Sequence, residues 1–193
     1  LGNGTSLVGQ VSYDTRDAEE VLRKISSEGY EISETKKKRN SYGGKSSIYG
    51  VVHKLRDIGV LGNKHIPEIY FTSSIEQRFN LLRGLLDSDG TIAKESGAIT
   101  YSSVKKPLAL DFRRLLSSLG YKCSITEKDI SHQSPLNPTE YRVTFTPKTG
   151  DTFFYLSRKQ GRSNPTTRTW YSDKRYIVDM EKLESRIPMF CIE

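Results

Sequence analysis

Two carboxylates one residue apart, Asp87 and Asp89, close a helical stretch just ahead of Gly90. Ile75, Phe79, Leu82 and Leu86 precede them at i, i+4, i+7 and i+11, which is one apolar helix face. A capping box starts it, from Ser73 with Glu76 or Ser74 with Gln77. Negative charge at a helix C-terminus opposes the macrodipole by about 0.3–1 kcal/mol per group. Two such groups in the last turn call for a compensating cation. An exposed Asp-Gly turn is the ordinary alternative. Gly84 sits mid-helix, where glycine costs ~1 kcal/mol against alanine. Its usual justification is a second helix packed close against the bare backbone.

Basic chemistry is the other theme. Thirty Lys and Arg against twenty-three Asp and Glu give a net charge of +7 over 193 residues. Four of them form the run Lys36-Lys37-Lys38-Arg39. A balance of this kind suits a polyanion such as nucleic acid or an acidic membrane surface, and equally a merely soluble basic protein. No apolar run approaches the ~18 residues of a membrane span. Two cysteines, Cys123 and Cys191, argue against a disulfide scaffold or a cysteine-based zinc site. His53, His65 and His132 lack metal-ligand spacing and read as structural or surface residues. With no leader-like opening, and ends that look like cuts in something longer, an intracellular location is expected.

The elements that must position the carboxylates occur twice. Leu1-Gly2-Asn3-Gly4-Thr5 echoes Asp87-Ser88-Asp89-Gly90-Thr91. A strand follows each, Gln10 to Tyr13 and Ala98 to Tyr101. An amphipathic helix comes next. The first has Ala18, Val21, Leu22 and Ile25 on its apolar face and Asp17 as a cap with Glu20; the second has Leu108, Phe112, Leu115, Leu116 and Leu119. Both helices end in kindred phrases, Ser26-Ser27-Glu28-Gly29-Tyr30 and Ser117-Ser118-Leu119-Gly120-Tyr121, whose glycines read as C-caps. Further strands are predicted at Ile32 to Thr35, Lys45 to Tyr49, Lys122 to Glu127 and Tyr141 to Thr146, with a short helix from Val51 to Ile58. A loop from Ser163 to Thr169 and a strand–bend–strand tail from Arg175 to Ile192 complete the reading.

Leu82-Arg83-Gly84-Leu85-Leu86-Asp87-Ser88-Asp89-Gly90 resembles the signature of the LAGLIDADG homing endonucleases, with Leu1-Gly2-Asn3-Gly4 as the end of a first copy. Lys64-His65-Ile66-Pro67 is similar to the Lys-x-Ile-Pro block of intein-embedded members. Tyr176 to Asp179 and Met189 to Glu193 resemble the strand by which an intein re-enters its splicing domain.

The resemblance implies an α+β fold. Two pseudo-symmetric αββαββα halves carry saddle-shaped antiparallel sheets, and their motif helices pack together. It divides the chain into a first half at 1–72 with its motif helix truncated, a second half at 73–170, and a tail at 171–193. It implies that Asp89 and Asn3 hold divalent metal at the helix feet, beside Gly2 and Ser88. The ion is Mg²⁺, with Mn²⁺ or Ca²⁺ able to replace it for binding. Lys64 and its symmetry mate Lys159 act at the scissile phosphates. Asn3 stands where the family has a carboxylate, so weaker metal binding and poor or single-strand cleavage are expected.

The implied partner is double-stranded DNA with a long specific site, bound by a monomer, with no membrane. Expected DNA contacts are Gln10, Ser12, Tyr13, Lys36, Lys37, Lys38, Arg39 and Lys45 in the first half. In the second they are Lys94, Tyr101, Lys122, Lys128, His132, Gln133, Arg142 and Lys148. A DNA-binding protein without cleavage, either inactivated at Asn3 or maturase-like, is the alternative. Protein splicing itself is a poor fit, because the chain lacks the N-terminal Cys or Ser nucleophile and the terminal His-Asn pair.

Overall fold

The structure is a computed structural model that describes residues 4–33, 36–37, 43–148, 150–162, 177 and 179–182. The element order repeats. The first half runs β1 (Gly4–Thr5), β2 (Gln10–Asp14), α1 (Ala18–Ser27), β3 (Lys36–Lys37), β4 (Gly43–Ser47) and α2 (Val51–Asp57). The second runs α3 (Ile75–Asp89), β5 (Gly90–Ile92), β6 (Ile99–Ser103), α4 (Lys106–Ser118), β7 (Cys123–Asp129), β8 (Thr139–Phe145) and α5 (Ser157–Gln160). Each half builds one four-stranded antiparallel sheet, ordered β1-β2-β4-β3 and β5-β6-β8-β7. The same crossing pattern on both sides makes the duplication a property of topology as well as of short phrases, and the fold is α+β.

The core lies mostly in the second half. Leu82, Leu85 and Leu86 of α3 meet Leu108, Phe112, Leu115 and Leu116 of α4 over Ile99, Tyr101, Val143 and Phe145 of the sheet. Phe153 and Phe154 close its edge, and Ile66 enters it from the linker between the halves. By contrast, α1 buries no residue completely, although Val21 and Ile25 form the predicted stripe. Its apolar face instead borders an open groove of about 680 Å³ beside Gly84.

Local expectations fare unevenly. At α3 the pair Ser74 and Gln77 forms the capping box, while the Ser73 hydroxyl donates to the Tyr70 carbonyl. At α1 the expected Asp17–Glu20 box is absent. Asp17 occupies the cap position, but its side chain makes no capping bond. Both carboxylates turn to a segment more than 130 residues away, where an arginine and a free N–H offer stronger partners. The strand expected over Ile32 to Thr35 is, within the described residues, an isolated bridge from Ile32 to Ile48. The loop at 163–169 and nearly all of the tail lie outside the described residues; 179–182 form no regular element.

Candidate active site and nucleic-acid interface

The foot of α3 gathers the charged groups. Gly90 ends the helix and donates its N–H to the Leu86 carbonyl. No larger residue fits there, because a Cβ on Gly90 would lie 2.5 Å from that oxygen and 2.8 Å from the Leu86 Cα. The tight exit leaves helix carbonyls in need of donors. Lys159 supplies them. Its Nζ donates to the carbonyls of Leu86 at 3.0 Å, Asp87 at 2.7 Å and Gly90 at 2.9 Å. This is the cation that the acidic helix end required.

The two carboxylates of α3 have different duties. Asp87 turns away from the foot and accepts the N–H groups of Tyr155 and Leu156, both at 3.2 Å, where the chain enters α5. Burial pushes its carboxyl up to about 6, outweighing those two bonds and the nearby Lys159. Asp89 remains at the foot. Burial also raises its carboxyl, opposed by the Ser88 hydroxyl at 3.2 Å and by the fields of Lys64 and Lys159. The foot of α3 thus holds a half-buried carboxylate within the fields of two lysines. Burial lowers Lys159 from its ordinary value.

Ser88, expected to face metal, directs its hydroxyl back to the Leu85 carbonyl at 2.8 Å and to Asp89, so it serves the carboxylate. Asn3 and Gly2 lie outside the described residues. Among the described residues no group of three or more His, Cys, Asp or Glu converges on one point. A single carboxylate cannot chelate an ion alone. It does suit Mg²⁺, which takes one or two carboxylates and fills its remaining positions with phosphate oxygens and water.

Strand alternation sorts the expected DNA contacts. In the first sheet Ser12 pairs with Lys45 and Gln10 with Ser47, and these lie on the face away from the helices. Tyr13 does not join them. It is 8% exposed and its hydroxyl lies 2.6 Å from that of the buried Ser46. In the second sheet Lys128 and Arg142 share the outward face with Thr100, Thr126 and Thr144, and Arg142 pairs with Glu140. Tyr101 is fully buried, stacked on Phe112 with ring centroids 4.1 Å apart. Both tyrosines sit one residue out of phase with the outward set, so neither can contact DNA from this face.

Lys94 lies in the exposed turn between β5 and β6, and His132 and Gln133 in the exposed β7–β8 loop. Lys122 is exposed after α4. The Lys148 ammonium lies 5.4 Å from the ring of Tyr121, a core residue. Lys36 and Lys37 form β3, in register with Lys45 and Gly44, whereas Lys38 and Arg39 are outside the described residues.

Sequence reasoning missed the contacts between the halves. Asp17, 5% exposed, is gripped by Arg158 through both carboxylate oxygens, with Nε to Oδ1 at 2.8 Å. Glu20 accepts the N–H and the hydroxyl of Ser157. Asp111 accepts the N–H of Ile66 at 3.0 Å. No local spacing in the sequence marks these partners.

Two repeated units, each an antiparallel sheet backed by helices, and the acidic foot of α3 capped by lysine define a two-fold repeat protein of the homing-endonuclease type. The model of the LAGLIDADG-like domain family matches residues 76–184, and the chain belongs to that family. Over its whole length the chain is 35% identical to the replicative DNA helicase DnaB of Mycobacterium intracellulare, of which it spans 30%. Over 60% of its length it is 32% identical to the ATP-dependent DNA helicase Hel308 of Thermococcus kodakarensis, of which it spans 11%. The crystal structure of I-DmoI in complex with DNA and Mn aligns with 70% of this chain and 72% of its own, at 14% identity and a TM-score of 0.48. I-DmoI in complex with DNA and Ca aligns with 70% of this chain and 66% of its own, again at 14% and 0.48. Among the described residues no helix is long and apolar enough to cross a membrane.

Proposed function

We propose that this chain is the site-specific DNA endonuclease domain of an intein, hydrolysing phosphodiesters with Mg²⁺ or a related divalent ion. The observation that carries the reading is Asp89 at the foot of α3, half-buried and within the fields of Lys64 and Lys159. The one carboxylate at the foot of α3 leaves the metal's other positions to the scissile phosphate and water, so the ion binds productively only with DNA present. The lysines face the charge that develops on the phosphate. The outward sheet faces supply polar side chains at strand spacing, and the +7 balance favours a polyanion.

The intein setting is supported by the relatives. A replicative DNA helicase and an ATP-dependent DNA helicase from another organism carry similar stretches amounting to a fraction of each protein. An inserted element accounts for that pattern better than shared helicase chemistry.

The chain repeats one set of elements twice, and we infer that it works as a monomer holding both copies. A groove between α1 and α3 is lined by Val11, Val21, Ile25, Gly84 and Leu156.

Asn3 favours a second reading, DNA binding with cleavage impaired or confined to one strand. A neutral amide there leaves the first helix foot without a carboxylate. The test is a plasmid carrying the uninterrupted host allele, incubated with and without Mg²⁺, beside the Asn3→Asp variant. Linear product from the wild type supports the endonuclease. Nicked product that becomes linear only with Asn3→Asp supports the impaired form. Binding without any product from either protein overturns both.

A further inference from the structure

Glu20 on α1 and Asp111 on α4 stand 91 positions apart, the same offset that separates Ser26 from Ser117 in the repeated helix endings. They are therefore equivalent residues of the two halves. Each accepts a backbone N–H from the other half. Glu20 takes that of Ser157 at 3.2 Å and the Ser157 hydroxyl at 2.9 Å. Asp111 takes that of Ile66 at 3.0 Å. The two captured N–H groups each lie two residues from a lysine, Lys159 in one case and Lys64 in the other. An ion pair backs each grip. Asp17 holds Arg158, and Arg114 holds Glu68 through both oxygens, with Nη1 to Oε2 at 2.6 Å.

We propose that Glu20 and Asp111 are a matched pair of positioning residues. Each fixes, from the opposite half, the arm that brings one lysine to Asp89. The residues touch neither lysine. They act through the backbone of the arm, beside the ion pairs and buried side chains that also anchor it. The helix α5 has four residues, too few to set its own direction. The first arm, from Lys64 to Pro67, has no regular structure before the short turn at Glu68–Tyr70. A charge-assisted bond to a backbone N–H is a strong and directional constraint for such segments. What the lysines accomplish once placed rests on the function proposed above; their placement does not.

The experiment reads lysine reactivity without DNA. The full chain is pulsed with an amine-acetylating reagent, and acetylation of each lysine is followed by mass spectrometry in the wild type, Glu20→Ala and Asp111→Ala. Glu20→Ala is expected to raise the rate at Lys159 about tenfold, the factor that loss of a charge-assisted hydrogen bond permits. Lys64 should stay within about twofold, a change too small to signal loss of such a bond. Asp111→Ala should do the reverse. Lys94, exposed in its turn, serves as the internal standard. Glu20→Gln and Asp111→Asn, which keep size and one acceptor oxygen, should show the same crossed pattern at smaller amplitude, and they decide the matter if an alanine variant fails to fold. Equal change at both lysines, or change at neither, overturns the proposal. Failure of the endonuclease reading shows separately, as wild-type protein that leaves the plasmid intact while the crossed pattern persists.

Discussion

The Lys159 ammonium and the Asp87 carboxylate exchange services. Lys159, on α5, donates to the Asp87 carbonyl at 2.7 Å and caps α3, while the Asp87 carboxylate accepts two N–H groups at the entrance to α5. Each helix is terminated by a residue of the other.

Lys159 is expected to be needed for folding as well as chemistry. Lys159→Met leaves three carbonyls short of a charged donor and should lower unfolding free energy by about 2–4 kcal/mol in denaturant titration. Lys159→Arg should restore little, because a planar guanidinium does not present three donors to three converging oxygens as a compact ammonium does.

The Asp87 carboxyl, pushed up to about 6 from an unfolded value of 3.8, gives a pH signature. The folded state binds the proton more tightly than the unfolded chain does. Stability from this group is therefore greatest below pH 4 and declines as pH rises through 6. The difference in melting temperature between wild type and Asp87→Asn should shift in favour of wild type as pH falls from 7 to 4. Comparing the two proteins cancels Asp14 and Glu68, whose carboxyls Arg16 and Arg114 hold low and which shift stability in the opposite sense.

Gly84 inside α3 and Gly90 at its exit should respond oppositely. Gly90→Ala forces a Cβ into the Leu86 backbone and should cost about 2 kcal/mol or more, with loss of any Asp89-dependent activity. Gly84→Ala meets nothing within 4 Å and should stabilise this chain by up to about 1 kcal/mol. Chemical denaturation of the two variants checks the contrast.

Tyr101→Phe should leave DNA affinity unchanged, whereas Arg142→Ala and Lys45→Ala should weaken it and flatten its salt dependence by about one phosphate contact each. The Tyr101 hydroxyl is buried without a well-formed hydrogen bond, so the phenylalanine variant should be at least as stable as wild type.

The features legible in the sequence are those whose partners lie within one helical turn or one repeat. The Ser74–Gln77 box, the apolar faces of α3 and α4, and the duplicated order of elements all follow from local spacing. The acidic foot of α3 was legible together with its need for a cation; Lys159 was assigned by resemblance, not by spacing. Tyr13 and Tyr101 were misplaced because strand register, and hence which parity faces outward, is set by cross-strand pairing that no single strand encodes. Asp17 and Glu20 read as a cap because the local donor is visible in the sequence and the distant Arg158 and Ser157 are not.

The crossed grips of Glu20 and Asp111 bear on how such proteins can be rebuilt. If each half holds the other's lysine arm, a half is not a free-standing cartridge. A chimera that joins one half of this chain to a half from another relative must transplant the acceptor on the helix and the arm it receives from different parents. Matching the helix packing alone would yield a protein that folds and binds with its two lysines unaimed.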